Sequence, residues 1–120
     1  MRNGFLRFAV YLIITGIFFL LNSCSECDEE NPTVVLINNG TGKADIQIKT
    51  SGGNTENINN IEIGTSSEKR SFDPGDIEFT VAIQGVNDPI VYLLKISFCS
   101  DYVVTINSDN SVTETSSKRD

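Results

Sequence analysis

From Thr33 onward, apolar and polar residues alternate in short bursts separated by clusters of Gly, Asn, Asp, Ser and Pro. Period two marks a half-buried strand, because successive side chains point to opposite faces of a pleated chain. The pattern is cleanest in "KADIQIK", with Ala44, Ile46 and Ile48 on one side and Asp45, Gln47 and Lys49 on the other. It recurs in "IEFTVAIQ", where Ile77, Phe79, Val81 and Ile83 share a face. "TVVLIN" (residues 33–38) precedes the turn cluster "NNGTG", so the first two strands are expected to form a hairpin across Asn39 to Gly42. In the third segment, Ile58, Ile61 and Ile63 break strict alternation, which predicts a bulge or a late strand start. Ser67 to Phe72 is polar and reads as an edge, and Asp73-Pro74-Gly75-Asp76 reads as a turn. "IVYLLKISFC" is apolar on both faces through Ile90 to Leu94, which suits a central strand covered on both sides. "YVVTIN" and "SVTET" predict a hairpin over Ser108 to Asn110, and "SSKRD" is expected to fray.

These segments predict an all-β domain. Seven to eight short strands with turn signals between them predict a small antiparallel β-sandwich over residues 33–115, with residues 116–120 as a disordered tail. "FDPGDIEFTV" resembles the Pro-Gly turn and following strand of immunoglobulin-like and transthyretin-like sandwiches. The two "INN" copies at Ile37 and Ile58 have unlike surroundings and are not a repeat.

The first 23 residues have a different pattern. Arg2 and Arg7 precede an uncharged apolar run of 14 residues, "FAVYLIITGIFFLL" (8–21). A positive start, a short apolar stretch and small residues after it are the layout of a signal peptide. A membrane-spanning helix needs about 20 apolar residues to cross roughly 30 Å of hydrocarbon. Leu21-Asn22-Ser23-Cys24 then resembles the lipobox of bacterial lipoproteins, with Asn22 where the pattern usually has a small or hydroxyl residue. The resemblance implies cleavage after Ser23 and acyl chains on Cys24. It therefore implies a protein held at the cell envelope, lipid-anchored to the outer membrane. Each buried methylene contributes about 0.8 kcal/mol, so two or three acyl chains hold a protein where one is marginal.

Glu26, Asp28, Glu29 and Glu30 follow the cysteine, and residues 24–32 read as an acidic tether. The cluster is also similar to the export signal that places some Gram-negative lipoproteins on the outer face of the outer membrane. Surface display and periplasm-facing attachment both fit. Two of the nine basic residues precede Cys24 and all sixteen acidic residues follow it, so the remainder carries seven basic against sixteen acidic, a net −9. Such a surface is poorly suited to phosphate backbones, so no nucleic-acid partner is expected.

Cys27 and Cys99 remain once Cys24 is acylated. In an oxidising compartment they could pair, closing a loop of roughly 70 residues with a contribution of about 4 kcal/mol. The alternative is a buried free Cys99 and an unpaired Cys27. It is favoured slightly, because Cys27 lies in the acidic segment. Two thiols without histidine fall short of a zinc ligand set, and no metal or cofactor is expected.

The chain has no His, which removes the commonest general base and the usual Ser-His or Cys-His triads. Asp73 and Asp76 are the nearest pair for carboxylate hydrolysis, but they flank Pro-Gly and read better as turn caps. Asn107, Asp109 and Asn110 supply hard oxygens in one loop yet lack the EF-hand glycine and distal glutamate. A glycan site would need exposed aromatics. Of Phe72, Phe79, Tyr92, Phe98 and Tyr102, at least three are expected in the core, leaving Tyr102 as the one to test. The sequence thus predicts no enzyme. It predicts a membrane-anchored binding or structural module with a protein or glycan partner. The alternatives are a lipidated inhibitor or immunity-type protein for a basic partner and a carboxylate-based hydrolase.

Overall fold

The computed structural model describes residues 27–120, and within them every regular element is a strand. Nine strands form two packed sheets: β1 (Thr33–Asn38), β2 (Ala44–Lys49), β3 (Thr55–Ile61), β4 (Thr65–Ser66), β5 (Arg70–Ser71), β6 (Gly75–Ile83), β7 (Ile90–Ile96), β8 (Ser100–Ile106) and β9 (Val112–Lys118). One sheet runs β4-β1-β8-β9, with β5 also on β1, and the other runs β3-β2-β6-β7. The all-β sandwich read from the alternation is therefore the fold. The inward faces supply the core: Val34 and Leu36, Ile46 and Ile48, Ile77, Phe79 and Val81, Val104 and Ile106 are all at most 3% exposed.

The hairpin expected across Asn39 to Gly42 does not form, since β1 and β2 lie in different sheets. Residues 39–43 instead arch between the sheets, allowing both strands to turn their apolar faces into one core. The fully buried Asn38 holds the arch. Its side-chain amide donates to the carbonyls of Gly42 (2.9 Å) and Ile61 (2.8 Å), and its oxygen accepts the Gly40 N–H (2.9 Å). A buried amide with all these groups paired costs little, whereas an unpaired one would be expensive. Gly42 is required by a close approach: a Cβ there would lie 2.3 Å from the Gln84 carbonyl oxygen.

The first sheet is mixed. β1 pairs in parallel with β8 from Thr33↔Asp101 to Asn38↔Ile106, a pairing outside the antiparallel expectation. β4 and β5 take the other side of β1 as two short antiparallel pieces, of which β5 falls within the polar edge expected over Ser67 to Phe72 and β4 precedes it. Between them, Ser67 Oγ accepts the Leu36 N–H at 2.9 Å.

The bulge in β3 falls where the isoleucine spacing placed it. Ala44 pairs with Ile61 but Ile46 with Ile58, so Asn59 and Asn60 stand opposite Asp45 alone. Asn60 takes the left-handed region (φ 61°), and the Asp45 carboxylate accepts its N–H at 2.7 Å.

β7 contradicts the reading of Ile90 to Leu94 as a central strand. It is the edge of its sheet, with Leu94 and Ile96 buried on one face while Val91 (58%) and Leu93 (69%) are exposed on the other. The strand apolar on both faces that is central is β1, flanked by β8 and the β4–β5 edge. The C-terminal segment is also more ordered than expected. β9 pairs with β8 through Ser100↔Lys118, so Ser116 to Lys118 belong to the sheet and are not a frayed tail.

Candidate functional site

Register and connection place both ends of the described chain at one end of the sandwich. Thr33 starts β1 beside Asp101, Lys118 ends β9 beside Ser100, and the β7–β8 turn lies between Ile96 and Ser100. At this end Cys27 is disulfide-bonded to Cys99, with a Cα–Cα distance of 6.0 Å. The slight preference for two unpaired thiols fails because residues 27–32 are docked. The Cys99 N–H donates to the Glu30 carbonyl (2.8 Å), and its own carbonyl accepts the Arg119 N–H (2.7 Å). Phe72 N–H likewise reaches the Pro32 carbonyl at 3.1 Å.

Arg119 completes the clasp. One guanidinium nitrogen bonds the Glu30 carboxylate at 2.8 Å and another the Asn31 carbonyl at 2.7 Å. Its Nε lies 3.3 Å from Asp101 Oδ1 without hydrogen-bond geometry, and that oxygen already accepts from Thr33 Oγ1. The acidic residues read as a sorting signal thus divide. Glu30 is ion-paired, while Asp28 and Glu29 are exposed, Glu29 in the left-handed region (φ 43°). Cys24 and Glu26 lie outside the described residues.

The β7–β8 turn exchanges the expected roles of two aromatics. Tyr102, the residue singled out as an exposed stacking platform, is 8% exposed, and its hydroxyl accepts the Ser97 N–H at 3.0 Å. Phe98, expected in the apolar strand, sits in the turn at 42% exposure. Cys99 beside it adopts φ 59° to close the turn. Tyr92 on the edge strand is half-buried, and its phenol is raised above the ordinary value by burial first and then by the Glu114 carboxylate. Its contribution to stability is present below the ordinary tyrosine range and is lost as pH climbs through the raised value.

The opposite end gathers the connections 39–43, 62–64, 84–89 and 107–111, and a side-chain amide ties the first of these to the last. Asn110 accepts the Thr41 N–H (3.0 Å) and donates to Thr41 Oγ1 (2.9 Å), and Lys43 meets Glu62 at 3.3 Å. Two of the residues weighed as calcium ligands already accept hydrogen bonds through an oxygen, Asn110 from Thr41 and Asp109 from Ser111, while Asn107 engages through its nitrogen. Asp109 accepts the Ser111 hydroxyl (2.6 Å) and N–H (3.0 Å), which lowers its carboxyl below the ordinary value. Asn107 donates to the Ser111 carbonyl at 3.1 Å and to Thr113 Oγ1 at 3.1 Å, and Asn110 closes the turn at φ 66°.

The carboxylates considered for hydrolysis are exposed and set apart in role. Asp73 accepts a long contact from Asn31 Nδ2 (3.5 Å), while Asp76 lies on β6 opposite Lys95. Among the described residues no group of three His, Cys, Asp or Glu side chains is placed to hold a metal ion. The hollows are open and shallow. One, lined by Lys43, Asp45, Asn60, Ala82, Ile83 and Gln84, lies on the outer face of the β2–β6 sheet.

No family model matches the sequence, and no curated protein matches it. Among solved structures the chain is similar to the C-terminal domain of AlgF from P. aeruginosa. The likeness covers 75% of this chain and 99% of that one, at 13% identity and a TM-score of 0.49. At that level it carries no inference about what the chain does.

Proposed function

We propose that the chain is a lipid-anchored envelope protein, attached to the outer membrane through acyl chains on Cys24, whose sandwich is a non-enzymatic binding or structural module. The Cys27–Cys99 disulfide carries this reading. A cross-link of this kind persists in oxidising compartments. It also joins the rigid domain to the chain three residues beyond the lipobox cysteine. Both ends of the described chain then face the membrane, and the loop end built from residues 39–43, 84–89 and 107–111 faces away, toward a partner. Intact mass of the membrane-extracted protein tests the attachment. A species beginning at Cys24 with added acyl mass is expected, and a full-length, unmodified chain overturns the proposal.

A second reading is an inhibitor or immunity-type protein for a basic partner. The net charge of −9 after Cys24 and the exposed Asp28 and Glu29 favour it, since complementary charge speeds encounter. A captured partner that is strongly basic, released as salt rises, separates it from the first. A carboxylate hydrolase has less support, because Asp76 is a strand residue and Asp73 lies in the connection before that strand. The same hydrolysis of a glycan panel by Asp73→Asn and Asp76→Asn as by the parent excludes those carboxylates.

A further inference from the structure

We infer that the turn carrying Phe98 rests on the lipid bilayer, with the Phe98 ring seated at the headgroup–acyl boundary as a second, non-covalent contact. The inference rests on acylation of Cys24. Cys27 is the third residue after Cys24, and three extended residues reach at most about 10 Å. The disulfide bonds Cys27 to Cys99, whose chain neighbour is Phe98. A flexible acidic tether would hold the domain well away from the lipid, but this one is docked from Cys27 onward.

The turn backbone is fixed on both sides of Phe98. Tyr102 is buried beside this turn and takes the Ser97 N–H at 3.0 Å. The Cys99 peptide is bonded on one side to Glu30 and on the other to Arg119. Phe98 is thereby held outward at 42% exposure on a rigid base. Among the described residues, the other large exposed apolar side chains lie elsewhere: Ile63 and Val86 in connections at the opposite end, Val91 and Leu93 along the β7 edge. An apolar ring at the boundary gains from leaving water without crossing the hydrocarbon. Asp28 and Glu29 beside the cross-link disfavour anionic headgroups, so the surface best suited is zwitterionic.

The chain contains no tryptophan, so Phe98→Trp creates a single fluorescent reporter. The full lipidated protein carrying this change is reconstituted in phosphatidylcholine vesicles with and without brominated acyl chains. A second protein carries Val86→Trp at the far end. Both sites are exposed, and matching melting midpoints verify that both variants are folded. Quenching by brominated lipid is expected to be several-fold greater at position 98 than at position 86. Adding Cys27→Ser and Cys99→Ser is expected to bring position 98 down toward position 86. Equal quenching at the two positions, in protein whose mass shows the acyl chains, overturns the contact and leaves the lipid anchor standing. Absence of acyl mass overturns the anchor and the contact together.

Discussion

The two ends of the sandwich are stabilised by different means. At the clasped end, segments far apart in sequence meet: residues 27–32, the 97–99 turn and Arg119 are joined by a disulfide, two backbone bonds and an ion pair. At the loop end, neighbouring turns are fastened by amide side chains, above all Asn38, Asn107 and Asn110. Covalent closure restricts the unfolded chain, while hydrogen bonds act only within the folded one, even where, as between Asn110 and Thr41, they join residues 69 apart in sequence. The clasped end thus stabilises the domain as a whole and fixes where the tether leaves it. The loop end keeps short connections, which are the usual place for recognition on a rigid scaffold.

If this contrast is right, the largest effect belongs to the cross-link. Cys27→Ser with Cys99→Ser should lower unfolding free energy by about 4 kcal/mol in a urea titration. A loss below about 1 kcal/mol would mean that docking of residues 27–32 does not depend on the bond. Next is Asn38→Ala at the loop end, which strands the carbonyls of Gly42 and Ile61 in a dry site. It should cost about 3 kcal/mol in the same titration. If it instead costs as much as losing the disulfide, the loop end is as global a determinant as the clasp, and the contrast fails.

A smaller effect is expected at Arg119, whose side chain is 30% exposed and whose partner Glu30 is 64% exposed. Solvent screening limits Arg119→Ala to about 1 kcal/mol, and the loss should shrink in high salt. Faster amide exchange at Cys99 would show that the clasp has loosened locally. The smallest effect is a pH response of the loop end. Asp109 titrates below its ordinary value of 3.8 because Ser111 bonds its charged form. Its contribution is therefore present above that ordinary value and is lost as pH falls through the lowered one. Asp109→Asn should flatten the acid limb of a stability-versus-pH curve slightly, by lowering stability at neutral pH toward its value in acid. An unaltered acid limb would show that Ser111 bonds both forms equally.

Much of the fold was legible from spacing. The alternation in "ADIQIK" and "IEFTVAI" identified which side chains of β2 and β6 face the core, and those residues are buried. The Ile58–Ile61 offset located the bulge. The Ser108–Asn110 turn was equally readable, because Asn and Asp satisfy local backbone groups wherever the fold places them. The candidate site was less legible. The two thiols were visible, yet nothing local showed that Cys27 would reach Cys99. Tyr102 and Phe98 are both aromatic residues close to the same turn, and only the direction of the chain through Cys99 decides which of them is buried.

By its own residues, then, the chain determined strand content, the inward faces of β2 and β6, the turn at Ser108 to Asn110 and the charge contrast across Cys24. These depend on dihedral preference, side-chain alternation and composition, which act over a few residues. Tertiary structure alone decided that β1 leaves β2 to run parallel to β8, that the apolar β7 lies at an edge, and that the ends of the described chain meet at the disulfide. Those outcomes depend on which surfaces exclude water together, and alternation specifies the face of a strand without specifying its neighbour.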